Sequence, residues 1–330
     1  MLSSSTSSCA SQLQPQIERL SKPRDPKNGA STRPTSPASK DQAADAFKQC
    51  IDLVKKHDFA NYVSALLMPR EVQPHVFALL AFNVELALVR DQIERNAGTT
   101  GIFRLQFWRD AISTIYGQST GPVPRQPVAI ALRAFGSSKD VDHLYGLVEA
   151  RQQTLGDRPF ESVNALEQYA EKTIGSMLLL VMKAITPPSE IVSKDAEKAS
   201  LALGRSLGVM NHVRSTVPLL KRGIVLLPLD LMTIHGLSAD NVYSNKSPDG
   251  IRRLCKDLCD VSRKSLAEAR NLSPHVSRRQ ALALMSTGAS MDHMLKIIRK
   301  VEYNLFDLRL QRGHPLLAWT LLARKLCGTY

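Results

Sequence analysis

Glu167 and Glu171 stand four residues apart, so on a helix both carboxylates would share one face, as paired acids must to hold a hard cation such as magnesium. The same spacing arises on any charged helix face, and the polar neighbours of this pair give it a structural reading rather than a catalytic one. A second cluster sets Asp257 and Asp260 beside Cys255 and Cys259, which invites a metal. No histidine stands at close helical spacing to them, however, and the surrounding arginines and lysines read as a solvated face. The eight histidines, His57, His75, His143, His212, His235, His275, His293 and His314, are dispersed. No Ser-His-Asp or Cys-His grouping can be assembled from their spacing. A glycine-rich phosphate loop and a dinucleotide fingerprint are both missing.

The elements that would have to position any site are helical. From residue 41 onward apolar residues recur at three- and four-residue spacing. This predicts helices over about 41–57, 73–97, 102–116, 126–135, 139–155, 161–186, 189–214, 250–271, 276–286, 290–312 and 315–327. Gly98 and Gly156 stand where left-handed caps would close helices, and Ser138 offers a hydroxyl to open the fifth. Thr186-Pro187-Pro188-Ser189 separates two helices, because neither proline can donate to a ladder. Only Gly223–Leu227 reads as extended, and no repeat of roughly 20 to 50 residues is present. The expected fold class is all-α, a single mostly antiparallel helical bundle.

Of 330 residues, 43% are apolar and 22% charged, ordinary globular usage that excludes collagen-like and wholly disordered chains. Five cysteines scattered over this length argue against a disulfide-stapled secreted scaffold. No apolar run approaches the roughly 18 residues of a spanning helix. The formal charge of +13 is uneven. Residues 1–40 hold six basic and two acidic residues among ten serines and five prolines, and read as a mitochondrial transit segment or disordered leader. Residues 41–247 are nearly balanced, with 22 basic and 21 acidic, whereas 248–330 hold 15 basic and seven acidic. The expected division is therefore a leader over 1–40 and one helical domain over 41–330.

Several segments, in order, resemble the squalene/phytoene synthase family. Phe59-Ala60-Asn61-Tyr62 with Leu66-Leu67-Met68-Pro69-Arg70 is similar to its opening signature. Gln168–Lys172 running to Gly175 resembles its central Tyr-and-Gly helix. Leu203–Leu207, Asn211, Arg214, Arg222-Gly223 and Leu227-Pro228 are similar to its second signature region. The resemblance spans about 41 to 325 and implies the isoprenoid (terpenoid) synthase-like helical bundle. In that family two facing helices carry aspartates four apart, and these hold the magnesium that neutralises substrate diphosphates. Here the first such motif aligns with Ala87-Leu88-Val89-Arg90-Asp91, keeping only Asp91, and the second with Ser215-Thr216-Val217-Pro218-Leu219, keeping none. The resemblance therefore implies no catalytic residues, no metal ligands and no cofactor, and a cavity that is apolar or filled by its own side chains.

The stretches Asn83–Asp91 and Arg104–Asp110 resemble a catalytically degenerate branch of the family that serves assembly of mitochondrial respiratory complex I. That implies a peripheral protein on the matrix side of the inner membrane, acting early on a nascent, mitochondrially encoded membrane-arm subunit near the quinone site. A prenyl or squalene-type transferase with unorthodox ligands, and a non-catalytic isoprenoid or lipid binder, are the alternatives. The predicted helix 290–312 carries Met291, Met294, Ile298, Val301, Leu305 and Leu308 on one stripe, with Lys296, Arg299, Lys300, Arg309 and Arg312 around it. Such a basic surface suits anionic inner-membrane lipid. Nucleic acid is not expected, since aromatics are only 5% and stacking residues are not interleaved with the cations.

Overall fold

Helix follows helix as the apolar spacing predicts, and no strand occurs among the described residues. The computed structural model describes residues 40–92, 98–156 and 158–330, all of which fall in one compact unit, 36–330. The leader assigned to 1–40 lies outside the described residues except for Lys40. In the N-terminal half, α1 (Lys40–His57), α2 (Phe59–Leu66) and α3 (Gln73–Gln92) pack on one another, with α5 (Pro127–Phe135) across α1 and α3. α4 (Gly98–Ile115) lies against α6 (Val141–Gln153). In the C-terminal half, α7 (Val163–Ala170), α8 (Ser176–Ile185) and α9 (Lys194–Leu220) follow, then two short helices, α10 (Leu229–Ile234) and α11 (Ala239–Tyr243). α12 (Pro248–Asn271) packs along α9, α13 (Arg278–Lys300) along α8 and α9, and α14 (Leu317–Cys327) on α13.

The longest apolar run, Met177–Met182, is the interior of α8, buried on every side. That explains why it is apolar all round without being a membrane span. Among the described residues no helix is long and apolar enough to cross a membrane. α9 approaches α7 and the π turn that follows it (Glu171–Gly175) more closely than side chains allow. A Cβ on Gly204 would fall 2.2 Å from the Gly175 nitrogen, and one on Gly208 would fall 2.2 Å from the Ala170 Cβ. Glycine is needed at both because another backbone or methyl group occupies the space. Between α9 and α12, the Ser206 hydroxyl donates to the Ser262 carbonyl at 2.9 Å and Ser262 returns the bond at 3.0 Å, so the buried contact leaves neither hydroxyl orphaned.

Several expected boundaries are corrected. The helix expected over 161–186 is interrupted by a π turn, Glu171–Gly175, which inserts one residue and re-aims the wall of the bundle. The helix expected to end at 214 continues to Leu220 through Pro218. The two helices expected over 276–286 and 290–312 are one, α13, ending at Lys300; Glu302 and Tyr303 then turn the chain with φ of 52° and 58°. Met291, Met294, Ile298 and Val301 are core and so is Leu305 beyond that turn, but Leu308, in a separate 3-10 turn, is 72% exposed. Gly98 opens α4 instead of capping α3, and Ser137, not Ser138, supplies the capping hydroxyl, reciprocated by Asp140, for a 3-10 turn (Ser138–Asp140) that leads into α6. Gly156 does take a positive φ, 117°. Residues 223–227 are irregular coil, not a strand. α2, α10 and α11 were not anticipated.

Candidate functional site

Two adjoining cavities lie inside the bundle, of about 350 Å³ and about 490 Å³, and they share Asn83, Ile174 and Asn211 in their walls. α2, α3, α8, α9 and α13 line the first; α3, α6, α7, the π turn and α9 line the second. Of the two expected states, an apolar cavity or one filled by its own side chains, the interior is a cavity and is not filled. It is also more polar than expected. Asn61 of α2 accepts from the Ser286 hydroxyl at 2.5 Å and donates to Asp58 at 2.8 Å. Asp58 in turn caps α2 through the Asn61 backbone N–H, and burial pushes its carboxyl above the usual range.

Two guanidiniums dominate the charge of these walls. Arg151 donates to the Asn83 side-chain oxygen at 2.7 Å and to the Leu147 carbonyl at 2.9 Å, and burial draws it below the ordinary guanidinium range. Arg214 donates to the Leu310 carbonyl at 3.1 Å and is lowered by burial in the same way. Neither has a carboxylate partner among the described residues. Arg214 and Asn211, which carried part of the resemblance, do line the cavity. Arg151 and Asn83 were not anticipated as wall residues. A lone arginine on a helix gives no sequence signal of facing inward; only its position over the second cavity does.

The segments that should carry metal do meet here. Ala87 and Ser215 both line the second cavity, with His212 and Tyr169. Asp91 lies near the end of α3, and its side chain is outside the described residues. Among the described residues, the second cavity has no carboxylate in its wall and the first has Asp58 alone. Magnesium needs several oxygen ligands, usually with carboxylates among them, and would here share the space with two guanidiniums. These residues do not fit it.

The other candidate clusters are committed elsewhere. Glu171 is paired with Arg205 at 2.5 Å, and Glu167 accepts from the Ser265 hydroxyl at 3.2 Å. Asp257 is paired with His235 at 2.7 Å and Asp260 with Arg263, while Cys255 and Cys259 point into the core. A hydrogen bond between the two thiols and burial push Cys255 far above its ordinary range, so it stays a thiol and not a ligand. The described residues contain no group of three or more His, Cys, Asp or Glu able to hold a metal.

An all-helical bundle closed around a central cavity defines the isoprenoid-synthase-like fold. Residues 54–319 match the squalene/phytoene synthase family, and the chain belongs to that family. Among solved structures it is similar to squalene synthase HpnC from Alicyclobacillus acidocaldarius, at TM-score 0.67 and 20% identity, covering 80% of this chain and 96% of that one. Among curated proteins it is similar to human NADH dehydrogenase (ubiquinone) complex I, assembly factor 6, at 31% identity over 283 residues, 85% of this chain and 82% of the human protein. The Drosophila melanogaster homolog of that assembly factor is 32% identical over 266 residues, 78% of this chain and 77% of its own length.

Proposed function

We propose that this chain is a non-catalytic assembly factor for mitochondrial respiratory complex I. The observation that carries the reading is a family fold kept whole around a cavity in which Ala87 and Ser215 stand at the aligned metal positions, beside Arg151. The similarity to proteins named as complex I assembly factors, over 85% and 78% of this chain, supports the choice of partner. In this reading residues 1–40 are a transit segment, 41–330 form the working domain, and the domain sits on the matrix face of the inner membrane. There it acts early, on a nascent membrane-arm subunit near the quinone site. Cells lacking the protein should lose assembled complex I while keeping the other respiratory complexes, and re-expression should restore it; normal complex I in such cells would sink the proposal. Purified protein given magnesium and farnesyl diphosphate should yield no product, and turnover would overturn the non-catalytic part.

A second reading is favoured by the open cavity itself. Two guanidiniums that pair with no carboxylate among the described residues, beside an apolar wall of Leu86, Val89, Ile174 and Met177, suit an amphiphile with an anionic head, held without catalysis. Native mass spectrometry of the purified protein tests it: a retained lipid supports this reading, and an empty protein counts against it.

A further inference from the structure

α14 buries Leu317 and Leu321, yet its opposite stripe is apolar too. Trp319 (71% exposed), Leu322, Ala323 and Leu326 (69% exposed) follow the i, i+3, i+4, i+7 spacing of one helix face, all turned to solvent. A contiguous apolar stripe left uncovered among the described residues marks a docking surface.

Beside this ridge, α12 and α13 leave a groove of about 710 Å³. Its floor is apolar, formed by Leu266, Ala267 and Leu295, and its rim carries Arg263, Arg270, Lys296, Arg299 and Lys300. The acid in its wall, Asp292, already accepts from Arg270 at 2.6 Å and from Arg324 of α14 at 2.5 Å. That carboxylate is therefore neutralised, and it ties the groove to the ridge. Lys296, Arg299 and Lys300 make no ion pair among the described residues, nor does Lys325 on α14. Arg278, which donates to the Leu326 carbonyl at 2.6 Å, adds a fifth uncompensated cation at the end of the ridge.

We infer that this face docks on a bilayer bearing anionic phospholipid, with Trp319, Leu322 and Leu326 entering the boundary between headgroups and acyl chains while the groove cations take lipid phosphates. A bilayer closes around protruding side chains, whereas a protein partner would have to supply a matching hollow. An indole suits the boundary because one edge is polar and the body apolar. Neither a short apolar ridge nor a cluster of cations holds a protein on a membrane durably; the two together do. The inference rests on the membrane-peripheral part of the function proposed above and is independent of its complex I part.

The test is cosedimentation of the full chain with phosphatidylcholine vesicles with and without cardiolipin. Binding should require the anionic lipid and weaken with salt. At about fivefold per cation, Lys296→Gln, Arg299→Gln and Lys300→Gln together should lower partitioning about a hundredfold. Trp319→Ser with Leu326→Ser should lower it by about tenfold or more. Both sets alter exposed side chains, so circular dichroism and melting temperature should match the parent protein. A parent chain that stays in the supernatant, binding indifferent to either set, or equal binding to both vesicle types would each overturn the inference. In cells, a cation variant that abolishes complex I assembly while still binding vesicles would give the face to a protein partner and also overturn it. Vesicle binding with complex I unaffected by loss of the protein would sink the assembly reading and leave the docking face standing.

Discussion

His143 shows how one side chain ties the fold to pH. Its ring nitrogen lies 2.9 Å from the Lys183 ammonium, which is itself 3.6 Å from Glu197. Burial first, and the Lys183 charge second, hold the imidazole below its ordinary value of 6.5. Burial and the neighbouring His314, stacked at 4.5 Å, do the same to His293. On acidification the unfolded chain takes up these protons before the folded one. The stabilisation from neutral imidazoles is therefore complete above about pH 6.5 and is lost as pH falls through the depressed folded values. In urea unfolding at about pH 7.5 and about pH 5.5 the two histidines should lower stability at the acid end, against the buried Asp58, whose raised carboxyl acts in the opposite sense. His143→Gln keeps a neutral acceptor for Lys183 and should flatten the slope; an unchanged slope would remove His143 from the account. At this scale the sequence was legible where type and motif coincide: Ala87 and Ser215, read through the resemblance, do line one cavity. It was not legible for Arg151 on Asn83, 68 residues apart, or for His235 on Asp257, 22 apart, because such pairs exist only once helices have packed.

Pro218 sits inside α9 and cannot donate to the carbonyl of Arg214, four residues earlier. The Gln311 side-chain amide fills that position, donating to the Arg214 carbonyl at 2.9 Å. The segment after α13 thus clamps the last turns of α9 from both sides, since Arg214 also donates to the Leu310 carbonyl. Gln311→Ala should lower stability by about 1 kcal/mol or less, the bond being near solvent, and should speed hydrogen exchange over the end of α9. Pro218→Ala gives the Arg214 carbonyl a helical N–H of its own. In that background Gln311→Ala should cost almost nothing, and an equal loss in both backgrounds would refute the clamp. Sequence reasoning ended α9 at 214; the helix runs on through Pro218, and the amide that supports it there comes from 97 residues away. It split α13 because Ser286, Thr287, Gly288 and Ser290 resemble a loop, although Ser286 and Thr287 are buried and Gly288 lies against Tyr330. It missed α2 because eight residues hold too few helical turns for a periodic signal, whereas α1 and α5 were placed within about a residue at each end.

For the whole molecule, cavity walls whose only carboxylate among the described residues is Asp58 change what can stabilise the fold. In a metal-holding bundle of this kind the ion binds the folded state alone, so its removal lowers stability by the linkage RT ln(1 + [L]/Kd). A site of about 1 mM affinity would add about 1.4 kcal/mol in about 10 mM magnesium, and shift the melting temperature by about 2 °C in a domain of this size. Here the facing walls offer Ala87, Ser215 and Arg151 where the ion would sit. In the reading without metal, the fold is held by what is inside it: the buried α8, the glycine-mediated contact of α9 with α7 and the π turn, and the reciprocal serine bonds between α9 and α12. Melting temperature should therefore be the same in magnesium and in EDTA, to within about 1 °C. A reproducible rise in magnesium would mean that acids outside these walls complete a site, Asp91 among them, and would reopen the case for an enzyme. If instead the protein melts alike in both buffers and higher in the presence of an anionic amphiphile, the positive charge of Arg151 and Arg214 has taken over the role that metal plays in a diphosphate-binding bundle.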